Sequence, residues 1–384
     1  MERVRRRWGR VAIGLCAVAF AAFAAAVAGL GCGSAADGRG PTSTGGDTTA
    51  PPQGGPSALP LDQLAGARIV AGYNGGATPP AALREAIRAG HVAGVVLYAE
   101  NLPSRADARR LIATLQGIPR PVEDPLLILI DQEGGLVKRI DGAPFHSAEE
   151  IGARGSSFAR REGRRTGRNL RGVGVNVDIA PVLDVPRPGS PIADTYRGYG
   201  TTAARVSAVG VAFAEGLQQA GVAATAKHFP GLGAALEDTD TEVSHIGLSK
   251  ARLRAVDESP YRHYAAAGGD MVMVGAGIYP AFSPQPAAFS RTLVSGELRQ
   301  RLGYRGVVMT DALDTVSVAA FGDPSETALA AVRAGCDLLL FTEPGPAEDA
   351  RRALVQKLGT GTLDRAQFEA AANRVLDLRA GLAP

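Results

Sequence analysis

Eight short runs of Val, Ile, Leu, Ala and Met recur along the chain, and none of them alternates between apolar and polar residues. They are Ala67–Tyr73, Val92–Ala99, Leu126–Ile130, Val173–Ile179, Val222–Ala226, Met271–Val274, Val307–Met309 and Leu338–Phe341. A strand with one wet face shows a period of two, whereas a strand buried on both faces reads as a continuous apolar run. Longer amphipathic segments separate the runs: Pro80–Ala89, Arg105–Gln116, Ala203–Gln219, Leu253–Ala267, Gly296–Leu302 and Thr327–Ala334. Gly90, Gly117, Gly221, Gly268, Gly303 and Gly335 stand at their ends, where a left-handed residue commonly stops a helix. The tail Asp364–Leu382 reads as a closing helix. Eight strand–helix units predict an α/β fold, a closed (β/α)8 TIM barrel rather than an open doubly wound sheet. With 45% hydrophobic residues but only 5% aromatic ones, its core has to be aliphatic.

Barrels of this kind carry their chemistry at the C-terminal ends of the strands, so those positions come first. The third run leads into Asp131-Gln132-Glu133-Gly134-Gly135, the fourth reaches Asp178 and then Asp184, the fifth ends in Lys227-His228-Phe229-Pro230-Gly231, and the seventh in Thr310-Asp311. Asp131 follows five apolar residues directly, a costly place for a carboxylate without a polar ligand; the bland reading is a loop cap beside the surface pair Lys138 and Arg139. Lys227 and His228 fit a pair of donors to sugar hydroxyls, a Schiff-base lysine, or a satisfied core histidine beside a snorkelling lysine. Asp311 is placed either to attack an anomeric carbon or to cap a helix. The five histidines and three cysteines show no metal-ligand spacing, so no metal or cofactor is expected.

Taken together, four segments resemble glycoside hydrolase family 3, and within it the single-barrel bacterial β-N-acetylhexosaminidases. They are Asp131-Gln132-Glu133-Gly134-Gly135 with Arg139 beyond it, Asn176-Val177-Asp178-Ile179-Ala180-Pro181-Val182-Leu183-Asp184-Val185, Lys227-His228-Phe229-Pro230-Gly231-Leu232-Gly233, and Gly306-Val307-Val308-Met309-Thr310-Asp311-Ala312-Leu313. The resemblance runs from about Leu64 to Leu382. It implies that Asp311 is the nucleophile of a retaining mechanism and that Asp131, Arg139, Lys227 and His228 contact the non-reducing sugar. Arg197, within Arg197-Gly198-Tyr199-Gly200, resembles the family's arginine after the fourth strand. One departure stands out. The hexosaminidase branch carries Asp-Ser-His after the fifth strand, the His being its acid/base, and here the matching residues are Asp238-Thr239-Asp240. Three accounts follow: Asp240 or Asp238 donates the proton as a carboxylic acid with a raised pKa, His245 arrives through a shifted loop, or proton transfer is lost.

The N-terminus reads as export machinery. Met1–Arg10 is basic and Val11–Leu30 is almost unbroken in its apolar character. Gly29-Leu30-Gly31-Cys32-Gly33-Ser34 then resembles a bacterial lipoprotein processing site. Residues 1–31 are therefore expected to be a signal peptide, Cys32 a lipidation site and membrane anchor, and 32–58 a Gly/Pro/Ser/Thr tether; the alternatives are an uncleaved membrane anchor and an ordinary cleaved signal that leaves the protein secreted. The barrel is assigned to 59–384, outside the cytoplasm. Cys336 is the one cysteine left in it, so no intrachain disulfide is expected there.

Two functions follow. The first is an exo-β-glycosidase acting as a monomer on β-linked amino sugars, such as peptidoglycan fragments. The second is a non-catalytic cell-wall-binding lipoprotein on the same barrel. A net charge of +3 over 384 residues excludes a dedicated nucleic-acid binder.

Overall fold

The structure, a computed structural model, describes residues 59–382. The expected signal peptide, the tether and Cys32 lie outside the described residues. A short helix, Leu61–Gly66, hands the chain to β1 (Ile69–Ala71). There follow β2 (Gly94–Val96), β3 (Leu127–Ile130), β4 (Val177–Asp178), β5 (Ala223–Phe229), β6 (Met271–Val274), β7 (Val307–Ala312) and β8 (Leu338–Phe341). Each strand pairs in parallel with the next, and β8 closes on β1 with Ile69 opposite Leu339 and Ala71 opposite Phe341. All eight apolar runs become strands of one closed barrel.

Alternate residues of each strand enter two different cores. Val70, Leu127, Leu129, Val177, Met271, Met273, Val307, Met309, Leu338 and Leu340 pack on one another inside the ring. Their neighbours Ile69, Ile128, Ile130, Val272, Val308 and Leu339 pack outward against the helices. Because both faces are buried, each aliphatic side chain contributes roughly 1.5–3 kcal/mol and no alternation is visible in the sequence. Two strands run further than their apolar runs: β5 takes in Lys227 and His228, and β7 takes in Asp311. These polar residues are therefore held by strand backbone, not by loops.

The expected helices form, with differences that have local causes. Gly90, Gly221, Gly268, Gly303 and Gly335 take positive φ, but Gly117 (φ −76°) simply ends its helix in a right-handed turn. The segment Leu253–Ala267 is broken into a wide π-type turn (Leu253–Asp257) and an α-helix (Ser259–Ala266), with Pro260 in the second helix's first turn, where its missing N–H is harmless. The Gly296–Leu302 segment lies largely within a longer π-type helix, Thr292–Arg301. Ala148–Arg154, Ser156–Arg171 and Pro344–Gly359 are helices with no counterpart in the apolar pattern. Ser156–Arg171 packs through glycines: a Cβ on Gly163 would lie 2.1 Å from the Phe213 carbonyl oxygen of the helix Ala203–Gln219. At Gly163 the two helices meet backbone to backbone. Cys336 is buried, as its apolar surroundings predict, and burial pushes its thiol pKa up to about 12.

Candidate active site

The inward-facing positions continue past the apolar part of three strands. Asp131 follows Leu127 and Leu129 at spacings of two, Lys227 follows Ala223 and Thr225, and Asp311 follows Val307 and Met309. The strand-end carboxylates and the lysine thus approach the mouth of the ring from β3, β5 and β7.

Five charged side chains form a ladder there. Lys227 Nζ lies 2.5 Å from Asp131 Oδ1 and 2.7 Å from Glu133 Oε1. Arg139 Nη2 lies 3.3 Å from Asp131 Oδ2 at one end. At the other, Arg197 grips Glu133 with two bonds of 2.8 Å, Nε to Oε2 and Nη2 to Oε1. Four of these residues are the expected sugar contacts. Glu133 is not among them, although it stands two residues beyond Asp131, on the same side of an extended chain. The Lys227 and Glu133 side chains are each only 3% exposed. Burial alone would raise the pKa of Glu133, but Arg197 and Lys227 more than cancel it and hold the carboxyl far below its usual range. Burial opposes the charge of Asp131 too, and Lys227 with Arg139 likewise overrides it. Burial pulls Lys227 down while Asp131 and Glu133 raise it, with a net rise. A Schiff-base lysine needs a free amine, so this locked ammonium speaks against a lyase.

Asp178, at the end of β4, is fully buried. Its Oδ1 accepts the Gln132 N–H at 3.0 Å, while Oδ2 has no partner. Burial outweighs the Gln132 bond and the Lys227 charge and pushes its pKa up to about 8, so it is a neutral acid at pH 7. Asp184 orients His228: its Oδ2 is 2.8 Å from Nδ1, and its Oδ1 accepts the Leu232 N–H at 2.7 Å. The other ring nitrogen of His228 makes no hydrogen bond to the described protein.

Asp311 is half-buried inside β7, and its Oδ1 accepts the Ala312 N–H at 2.9 Å. It caps no helix, since the next helix, Val316–Ala319, begins after Thr315. Asp240 sits on the exposed loop after β5, in a tight turn where Asp238 Oδ1 accepts its N–H at 3.1 Å. Ser317 donates to the Thr239 carbonyl at 2.5 Å, tying this loop to the segment after β7. Surrounding protein, then the carboxylates of Asp311 and Asp238, push Asp240 up to about 6, against a downward pull from His228 and Arg197. Asp240, Asp311, His228 and Arg197 therefore share one electrostatic neighbourhood, and Arg197 joins it to the ladder. His245 is exposed on a segment pinned to Ile278 by two backbone bonds of 2.8 and 2.9 Å, and has no bond to Asp240 or Asp311.

Residues 61–378 match the glycosyl hydrolase family 3 N-terminal domain. Similar proteins include an uncharacterized secreted glycosyl hydrolase of Arthroderma benhamiae, 35% identical over 85% of this chain and 95% of the relative. A β-hexosaminidase of Stenotrophomonas maltophilia is 34% identical over 68% of this chain and 80% of its own. Among solved structures, a glycoside hydrolase family 3 β-N-acetylglucosaminidase from Paenibacillus superposes with a TM-score of 0.80 and 35% identity; 85% of this chain is covered, which spans 64% of that enzyme. A β-N-acetylhexosaminidase from Beutenbergia cavernae gives a TM-score of 0.78 and 31% identity over 84% of this chain and 98% of its own. The family match takes in the whole barrel, strand ends included, and the chain belongs to glycosyl hydrolase family 3, whose members cleave O-glycosidic bonds.

Proposed function

We propose that the protein is a retaining exo-β-glycosidase for amino sugars, a β-N-acetylglucosaminidase in its main activity, with Asp311 as nucleophile and Asp240 as acid/base. The observation that carries this reading is that Ser317, six residues beyond Asp311, holds the Thr239 carbonyl and so fixes the loop bearing Asp240 beside the end of β7, where the Asp311 carboxylate helps to raise Asp240 to about 6. A retaining glycosidase needs two carboxyl groups in unlike protonation states. Asp240 gives its proton to the leaving oxygen as an Asp311 oxygen bonds to the anomeric carbon. Esterified Asp311 no longer carries charge, so Asp240 is released as a base. It then takes a proton from the water that attacks the anomeric carbon and frees Asp311. Asp238 supplies field to Asp240. The ladder of Asp131, Arg139, Lys227 and Arg197, with His228, holds the non-reducing sugar. The amino-sugar preference draws on the relatives named above, and peptidoglycan fragments are the substrate that fits an extracytoplasmic, Cys32-anchored enzyme.

The test is a panel of nitrophenyl β-glycosides with and without phosphate. The N-acetylglucosaminide should be hydrolysed best, and Asp311→Asn should abolish turnover while leaving the fold intact. Sugar binding without turnover of any activated glycoside would replace this reading with the non-catalytic one.

A further inference from the structure

At the end of the barrel opposite the strand-end carboxylates, where the strands begin, the structure holds a cavity of about 530 Å³. Six arginines line it, Arg68, Arg291, Arg299, Arg305, Arg333 and Arg374; Asp364 lines it too, and Asp337 lies behind Arg299 and Arg374. Six positive charges against these two negative ones, one lining the cavity and one behind it, leave four uncompensated. Their distribution is informative. Asp337 is fully buried and already saturated: Oδ1 takes Arg374 Nε at 3.0 Å and Nη2 at 2.8 Å, and Oδ2 takes Arg299 and the Val308 N–H. Asp364 is spent on the first turn of the helix Arg365–Gly381, accepting the Gln367 N–H at 2.9 Å.

Arg68, by contrast, is 1% exposed and touches no carboxylate. It lies over the Phe368 ring at 4.0 Å and donates Nε and Nη2 to the carbonyls of Asp337 (2.9 Å) and Cys336 (2.5 Å), while Nη1 has no partner among the described residues. Its burial is unfavourable enough to lower its pKa to about 10. Arg291, Arg305 and Arg333 are exposed, and their side chains enter no ion pair or hydrogen bond among the described residues. A buried guanidinium with an unused donor, under three unpaired ones at the rim, is an arrangement for an anion. One carboxylate would satisfy a single guanidinium fork and leave most of the charge. A phosphoryl group carries up to two charges on oxygens that accept from several forks at once.

We propose that this cavity is a binding site for a phosphoryl group, carried by a lipid headgroup or by a soluble phosphorylated molecule. The described chain enters the barrel at this same end, through Leu61–Gly66 into β1. The sugar site lies at the other.

The test uses the intact chain in uncharged detergent micelles. Glycerol phosphate is titrated in one arm, and phosphatidylglycerol is blended into the micelles in the other, with binding followed by calorimetry. One variant combines Arg291→Ala, Arg305→Ala and Arg333→Ala. A control combines Arg84→Ala, Arg161→Ala and Arg168→Ala, exposed arginines outside the cavity, with the same change in net charge. Saturable binding that weakens at least about tenfold in the cavity variant, and stays within about twofold in the control, supports the site. The arm that binds more tightly identifies the source. Glycosidase activity on a soluble substrate should be unchanged in the cavity variant. Absence of saturable binding in both arms, or equal losses in the two variants, overturns the proposal.

Discussion

Replacing Asp240 and Asp238 separately by asparagine distinguishes the acid's own chemistry from the field that tunes it. Asp240 is exposed at the rim, yet the protein packed around its carboxyl, then Asp311 and Asp238, raise it from 3.8 to about 6. A carboxyl group with that pKa is about nine-tenths protonated at pH 5 and about one-tenth at pH 7. In wild-type enzyme kcat/KM should therefore show an alkaline limb near pH 6 and fall about tenfold for each further unit. Asp240→Asn removes the limb and lowers kcat/KM about 10²- to 10⁴-fold for a sugar or alkyl leaving group. The loss should be much smaller for a dinitrophenyl leaving group, which needs no proton, and azide, which needs no base, should restore turnover of the glycosyl-enzyme. Asp238→Asn keeps the acceptor for the Asp240 N–H, 3.1 Å away, but deletes a neighbouring anion. Asp240 then ionises more easily, so the limb should move to lower pH by roughly half to one unit at this degree of exposure, with little change in the plateau. The assay is the pH dependence of kcat/KM on two glycosides that differ only in leaving group. A wild-type profile flat to pH 8, a limb that survives Asp240→Asn, or an Asp238→Asn limb displaced upward would each refute the reasoning.

Three further outcomes are expected. Lys227→Met leaves Asp131 with Arg139 and Glu133 with Arg197 but removes the cation between the two carboxylates, and should cost about 1–3 kcal/mol in urea unfolding, part of which Glu133→Gln restores in the double variant by removing one of the two facing charges. Asp178 has a folded pKa of about 8, above its unfolded value; its contribution is fully present below about pH 4 and is lost as pH rises towards 8. Asp178→Asn should accordingly flatten the fall in Tm between those limits. The exposed large hydrophobics among the described residues are Leu136, Phe145, Tyr196 and Leu236, on the loops that follow β3, β4 and β5, and Val316, which opens the short helix after β7. Leu236→Ser with Val316→Ser should lower kcat/KM for nitrophenyl glycosides about threefold to tenfold, the worth of roughly 1 kcal/mol of apolar contact, with no change in inhibition by the free sugar.

What the sequence revealed follows from what burial does to a pattern. The strands were legible because a barrel strand is apolar on both faces, and Asp131, Lys227 and Asp311 were legible because each ends such a run. The helix Ser156–Arg171 was not, because its contact with Ala203–Gln219 runs through Gly163 and Gly167, and close backbone approach leaves no apolar stripe. Pro344–Gly359 opens with Pro-Gly-Pro, which reads as a turn, although the first proline sits where a helix tolerates one. Glu133 escaped for a different reason. Its role is set by Arg197, 64 residues away and on another loop, so no local signal marks it; the one clue was its spacing of two from Asp131. Asp178 stood out as a polar residue at a strand end, but its neutral state depends on burial, which only the folded chain shows.

The aspartate at position 240, where the family resemblance implies a histidine, gains its sense from the same physics. An unperturbed imidazolium has a pKa near 6.5, whereas an unperturbed Asp lies near 3.9 and would be fully ionised at neutral pH. The protein around it and the charges of Asp311 and Asp238 bring Asp240 to about 6, so the two residue types reach nearly the same protonation window by different routes. The consequences differ once the proton has left. A histidine becomes neutral, but Asp240 becomes an anion beside Asp311. Under the proposed mechanism that anion forms as Asp311 loses its charge to the glycosyl ester, so the repulsion that held the proton on Asp240 vanishes in the step that needs the proton released. An aspartate in this place requires a charged nucleophile close by, which a histidine does not. Asp311→Asn should therefore lower the pKa of Asp240 even though that variant turns nothing over, and carboxyl titration by NMR of the inactive protein would read the shift directly. An Asp240 that titrates near 6 with Asp311 neutral would mean that its surroundings and Asp238 set its pKa without Asp311, and the coupling between the two carboxylates would have to be abandoned.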